Sequence, residues 1–165
     1  MSRLLSTGLT VAAIAIILDQ ASKWWVLLDL MNPPKIIEVT PFFNLVLVWN
    51  RGISFGMFSD EGNAGAWILS ILALVIVGFL LNWLRKAETK FVAISLGLII
   101  GGALGNVIDR TVHTAVVDFL DFYIGTFRWP AFNAADSFIT IGAVLLIADS
   151  LFSRDPKRSK IEERD

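Results

Sequence analysis

Four stretches of this chain stay apolar for longer than a soluble core could accommodate: residues 4–28, 64–84, 91–108 and 134–152. A hydrocarbon layer roughly 30 Å thick is crossed by about 20 helical residues, so each stretch predicts a membrane-spanning helix. With 55% of its residues hydrophobic, the chain has lipid as the solvent for much of its length. The first run begins like a signal peptide, with Arg3 ahead of it, but no small-residue cleavage motif follows. It continues past Asp19 into Trp24 and Trp25 and reads as a retained helix. A formal net charge of −1 offers no field to recruit nucleic acid, and the lack of Cys removes disulfides, thiolate metal sites and cysteine nucleophiles.

The charges fall in clusters. Arg3, the connection Arg85-Lys86-Ala87-Glu88-Thr89-Lys90, and Arg154, Lys157, Arg158, Lys160 and Arg164 predict that both termini are cytoplasmic. Residues 29–63 and 109–133 are then extracytoplasmic, and both are too long for simple turns. Phe42 to Trp49 reads as a strand, and Phe119–Tyr123 with Thr126–Trp129 flank Ile124-Gly125 as a hairpin would. Gly52 and Gly56 bracket a segment ending in Met57-Phe58 that suits a short interfacial helix. The expected fold is an all-α polytopic membrane protein of four transmembrane helices, with a small extracytoplasmic β-sheet and a short interfacial helix. Residues 1–153 form a single membrane-embedded domain, and residues 154–165 form a cytoplasmic basic tail.

Depth brings the polar residues together. At about 1.5 Å per residue, Asp19 and Asn106 each lie some 22 Å above the inner face, and Asp136 enters the fourth span from the outer side at a similar level. Ionisable groups at such depth cost at least about 2.5 kcal/mol, so they tend to be paired, inward-facing and functional. The second span carries Asn82 near its inner end, which reads as structural.

Each polar motif has a bland reading beside the chemical one. Asp19 and Lys23 stand one helical turn apart and could simply neutralise each other. Ser22 beside Lys23 raises a Ser/Lys hydrolase, but adjacent helical residues diverge by about 100° and form no dyad. Gly97, Gly101 and Gly105 recur every fourth residue, a close-packing face. Asn106 and Arg110, a turn apart, could hold a peptide backbone, or serve as a helix cap with a snorkelling Arg. Val116-Val117-Asp118-Phe119 and Phe132-Asn133-Ala134-Ala135-Asp136 each set a carboxylate among apolar residues. Burial raises a carboxyl pKa and a second carboxylate nearby splits the two titrations, which a dyad sharing one proton requires. Taken singly, Asp118 is an exposed loop acid and Asp136 a first-turn acid favoured by the helix dipole. The single His113, four residues after Asp109, lacks the further ligands a metal site needs. Asp60, Glu61, Asp121 and Asp149 read as surface charges.

Together these motifs resemble the lipoprotein signal peptidase, or signal peptidase II, family. The matching residues run from Asp19-Gln20-x-x-Lys23 and Asn50-x-Gly52 through Gly101-Gly102-Ala103-x-Gly105-Asn106-x-x-Asp109-Arg110 to Val116-Val117-Asp118-Phe119 and Phe132-Asn133-x-Ala135-Asp136. Ile53-Ser54-Phe55 departs from the Ala-Ala-Phe of many members. The resemblance implies an aspartic endopeptidase of the bacterial inner membrane, its active site near the extracytoplasmic face, which cleaves prolipoproteins N-terminal to a diacylglyceryl-modified cysteine. It implies Asp118 and Asp136 as catalytic, with Asp19, Lys23, Asn50, Gly52, Gly102, Gly105, Asn106, Arg110, Asn133 and Ala135 supporting the site or binding substrate. It implies no cofactor or metal, lipid-modified prolipoproteins and membrane lipids as partners, and a monomer. Intramembrane carboxylates also build ion- or proton-coupled transporters, which is the alternative, although the inner halves of these spans are nearly without polar groups. A membrane binding or assembly protein is a further alternative.

Overall fold

A computed structural model describes residues 2–52 and 64–152. Its helices are α1 (Arg3–Trp25), α2 (Ala64–Arg85), α3 (Lys90–His113) and α4 (Ala134–Phe152). Its strands are β1 (Ile37–Thr40), β2 (Phe43–Asn50), β3 (Val116–Ile124) and β4 (Phe127–Arg128). All four helices are long and apolar enough to cross a membrane. The expected interfacial helix after Gly52 and the basic tail fall outside the described residues.

Side-chain oxygens start two of the helices. Ser2 accepts from the Leu5 N–H at 3.2 Å and Thr89 accepts from the Val92 N–H at 3.1 Å, each satisfying an orphan donor of a first turn. α1 continues as a turn of π-helix, Val26–Leu30. α3 runs beyond the expected end at residue 108 to His113, with Asp109 turned inward onto Lys23. It stops at Thr114, whose φ of 58° is left-handed and whose N–H bonds back to the Arg110 carbonyl.

α3 is the central helix and packs on α1, α2 and α4. The inner core joins Ala12, Val77, Leu84, Ala93, Leu96 and Ile100. Side chains such as Ile17, Ile71, Phe79 and Val144 point away from any other helix, the surface that lipid covers. Close contacts recur along α3. A Cβ on Gly101 would come within 2.6 Å of the Ala12 carbonyl oxygen, and one on Gly105 would overlap the Asp19 carboxylate. Glycine therefore lets the polar end of α1 lie directly on α3.

The strands form one antiparallel sheet in the order β1-β2-β3-β4. The hairpin expected around Ile124-Gly125 is present: Ile124 pairs with Phe127, and Gly125 supplies a φ of 58° in the turn. Val117 and Phe119 pack on Val26 and Met31, fixing the sheet to the C-terminal end of α1. That attachment delivers β3, and with it Asp118, to the mouth of the helix bundle.

Candidate active site

The polar layer expected from helix depth exists, and it begins with a buried ion cluster. Lys23 Nζ lies 2.9 Å from Asp19 Oδ2 and 2.9 Å from Asp109 Oδ2, and it donates to Asn106 Oδ1 at 3.0 Å. All three charged residues are almost wholly buried. Burying a charge is tolerable only when it is paired and its remaining lone pairs are filled, and here they are. Gln20 Nε2 bridges Asp19 Oδ2 (3.2 Å), the Gly105 carbonyl (3.2 Å) and Asp109 Oδ1 (2.9 Å). Asp19 Oδ1 accepts from the Ala135 N–H at 2.9 Å, and Asp109 Oδ2 from the Val117 N–H at 3.0 Å. The cluster thereby ties α1 and α3 to the start of α4 and to the strand residue before Asp118.

Asn133 holds the next layer. It caps α4 in a reciprocal box: its Oδ1 accepts from the Asp136 N–H at 3.1 Å while Asp136 Oδ2 accepts from the Asn133 N–H at 3.2 Å. The same side chain turns its Nδ2 to Asp118 Oδ1 at 2.7 Å. One residue thus bonds to both candidate carboxylates. Asn106 completes the frame, donating to Asp136 Oδ1 at 2.9 Å while receiving Lys23. Asn50 donates to Asp118 Oδ2 at 2.8 Å and is itself fixed by the Gly52 N–H on its Oδ1, at 2.8 Å. Gly52 takes the left-handed φ of 75° that this turn needs. Gly102 serves by having no side chain, since a Cβ there would overlap the Ala135 carbonyl at the start of α4.

Asp118 is 1% exposed, and its hydrogen-bond donors are neutral amides. Burial pushes its carboxyl up to about 6; the Asn50 bond pulls down and the nearby Asp136 charge pushes further up. Arg110 lies in the field of Asp136, Asp109 and Asp118. Its only bond among the described residues is a long one, 3.4 Å to the Asn106 carbonyl, and its buried Nε has no partner there. A guanidinium with unused donors beside two carboxylates is suited to grip a peptide carbonyl.

Every supporting residue expected from the motifs lies in or against this assembly. Two that matter were not assigned a place in it: Asp109, the second carboxylate on Lys23, and Gln20, the bridge between the two. Asp121 corrects its expectation. It is a buried acid, not a surface charge, bonded by Asn44 at 3.3 Å and ion-paired with Arg128, because the hairpin folds Arg128 back over it. His113 stands between the Trp24 and Trp49 rings, at 5.9 and 5.3 Å.

Comparison with known proteins agrees with the motifs. A family model described as signal peptidase (SPase) II matches residues 11–152. A lipoprotein signal peptidase of Aeromonas hydrophila is 48% identical over 151 residues, covering 90% of each chain. Another from Methylorubrum extorquens is 44% identical over 148 residues, covering 88% of this chain and 85% of its own. A solved bacterial membrane enzyme superposes with a TM-score of 0.77 at 32% identity, covering 90% of this chain and 95% of the other.

Proposed function

The chain belongs to the signal peptidase II family, and on that premise we propose that it is an aspartic peptidase whose dyad is Asp118 and Asp136. It is a multi-pass bacterial membrane protein that removes signal peptides from prolipoproteins. The observation carrying the dyad is the convergence of both carboxylates on Asn133. The cut falls N-terminal to the lipid-modified cysteine.

In the reaction, Asp118, whose burial favours retaining a proton up to about pH 6, donates it to the scissile carbonyl oxygen. Asp136 takes a proton from the water whose oxygen forms the new C–O bond. Collapse of the tetrahedral intermediate re-forms the C=O bond and breaks the C–N bond: the proton on that oxygen returns to Asp118, and the proton held by Asp136 passes to the leaving amine. Arg110 holds the substrate backbone, and the ion cluster fixes both carboxylates from behind. Single domain organisation over residues 1–153, cytoplasmic termini, a site at the outer face and a monomeric state complete the reading. A transporter is not favoured, since the ionisable side chains of the polar layer gather at the outer ends of the helices and form no path inward.

A gel-shift assay on a lipidated prolipoprotein tests the dyad. Asp118→Asn and Asp136→Asn should each remove nearly all cleavage, roughly a thousandfold or more, while the protein stays folded and still binds substrate. The double variant should be no worse, and chelators should have little effect. Substantial turnover by either single variant would falsify this assignment. Reporter fusions should place both termini inside and Lys35 and Arg128 outside; an external C-terminus would refute that topology.

A further inference from the structure

The β3–β4 hairpin has two unlike faces, and among the described residues nothing covers the tip of one of them. Ile124 pairs with Phe127 and Tyr123 with Arg128, and the Trp129 N–H donates to the Phe122 carbonyl at 2.8 Å. Side chains alternate along a strand and opposed residues share a side, so Phe122, Ile124, Phe127 and Trp129 stand on one face. The other face takes Asp121, Tyr123 and Arg128, with Arg128 paired to Asp121 and lying over the Tyr123 ring at 5.2 Å. The first face is apolar and open. Ile124 is 80% and Phe127 64% exposed, and with Phe122, Trp129 and Phe132 they help to line a hollow of about 330 Å³.

The height of the hairpin follows from the helices that β3 connects. Asn106 of α3 bonds Asp136 of α4 at 2.9 Å, which sets those two residues at one depth. From there α3 runs seven residues on to His113, about 10 Å, and the His113 ring meets Trp49, the strand partner of Val117. On the α4 side the chain from Asp136 back to Phe132 covers about 10 Å at most. Phe132 exchanges two hydrogen bonds with Leu120, at 2.9 and 3.1 Å, and stacks on Phe122 at 5.9 Å. Between these two ties β3 does not climb away from the helix ends, and Ile124 lies only two residues, about 7 Å, past Phe122. Apolar side chains still point away from the bundle at this height: Val112 is exposed beside His113, and Leu28 is exposed one turn beyond Trp24, which touches His113. The surface that lipid covers therefore reaches the level of the hairpin.

We propose that the hairpin is a membrane anchor, with Phe122, Ile124, Phe127 and Trp129 seated among lipid chains at the edge of the leaflet nearest the sheet. The face that carries Arg128 turns to the headgroups. An element with one apolar and one charged face, bearing Trp and Tyr, is of the kind that settles at a bilayer interface. The four residues between Trp129 and Asn133 tether the tip to the point where α4 begins, so the anchor and the span enter the same patch of lipid.

The chain has no cysteine, so a single introduced one can carry a nitroxide. The full chain with Ile124→Cys or Phe127→Cys is placed in phosphatidylcholine nanodiscs. Phe79→Cys, on the exposed side of α2, is the lipid reference, and Glu38→Cys, exposed in the cross-strand row of Asn44 and Asp121, is the water reference. Labels at 124 and 127 should collide with oxygen, which concentrates in lipid, several-fold more than with a water-soluble nickel chelate, as at Phe79. Collision ratios that match the Glu38 label would overturn the proposal. So would labels open to water in the nanodisc and shielded only on adding a lipidated peptide, since the face would then belong to substrate. A second reading needs no label: the emission lost on Trp129→Phe should be blue-shifted and quenched by brominated phosphatidylcholine. A red-shifted, unquenched difference would count equally against the anchor.

Discussion

Two pairs of carboxylates share one polar layer and are handled in opposite ways. Asp19 and Asp109 close on Lys23 at 2.9 Å each, and their remaining oxygen sites are taken by Gln20 and main-chain N–H groups. Among the described residues, Asp118 and Asp136 receive only neutral donors, from Asn50, Asn133 and Asn106, and Asp136 is only half-buried. The first pair is compensated and therefore inert. The second keeps an unsettled charge, and a group with unsettled charge is one that can trade protons. On the proposed reading, direct contact with a cation separates scaffold from chemistry, since burial is common to Asp19, Asp109 and Asp118, and Arg110, though close, bonds neither Asp118 nor Asp136 among the described residues.

That contrast can be broken by removing the cation. Lys23→Met should cost about 3–5 kcal/mol, because it strands two buried carboxylates, and it should appear as a steep fall in thermal stability in detergent. Adding Asp19→Asn should recover part of the loss. If Lys23→Met behaved like an ordinary surface change, the division between the two pairs would be wrong. A smaller effect, about 1–3 kcal/mol, is expected for Gly105→Ala, whose methyl would press on the Asp19 carboxylate. Gly78→Ala is its control, with nothing within 4 Å of the added carbon, and equal stabilities for the two variants would remove the close-contact argument.

The smallest effect concerns the uncompensated side. Asp118 in the folded protein holds its proton up to about 6, above the ordinary 3.8. Its contribution to stability is therefore fully present below about pH 4 and is lost as pH rises through about 6. Unfolding followed between pH 4 and 7 should show this slope in the wild type and not in Asp118→Asn. Matching slopes would mean that Asp118 is not held in an apolar setting.

Much of this was legible in the residues, because lipid imposes a simple rule on sequence. Four apolar runs had to become four helices, and Gly125 between two β-rich stretches had to be a turn. Asp109 was harder, since its importance depends on which way α3 faces. The signal was nevertheless there: Gly97, Gly101 and Gly105 face α1, and Asp109 is the next step of four. Gln20 gave no such signal, as its three partners come together only when two helices dock. Asp121 was misread because local sequence cannot show that Arg128 folds back across a hairpin to neutralise it. The π-turn after Trp25 is likewise set by docking of the sheet on Val26 and Met31, a long-range contact without a local code.

The bond from the Ala135 N–H to Asp19 joins residues 116 positions apart, the first helix to the last. Considered as a chain leaving the ribosome, the protein has Asp19, Lys23 and even Asp118 in hand long before it has Asp136 or the Asn133 cap. A partly synthesised chain with three helices inserted holds one carboxylate of the proposed dyad, with Asn50 on it but without the Asn133 bond that joins it to its partner. With Asp136 in the proposed dyad, proteolytic competence would arrive with the final span, and a translation intermediate sitting beside other nascent chains in the membrane would be unarmed until its own assembly is complete.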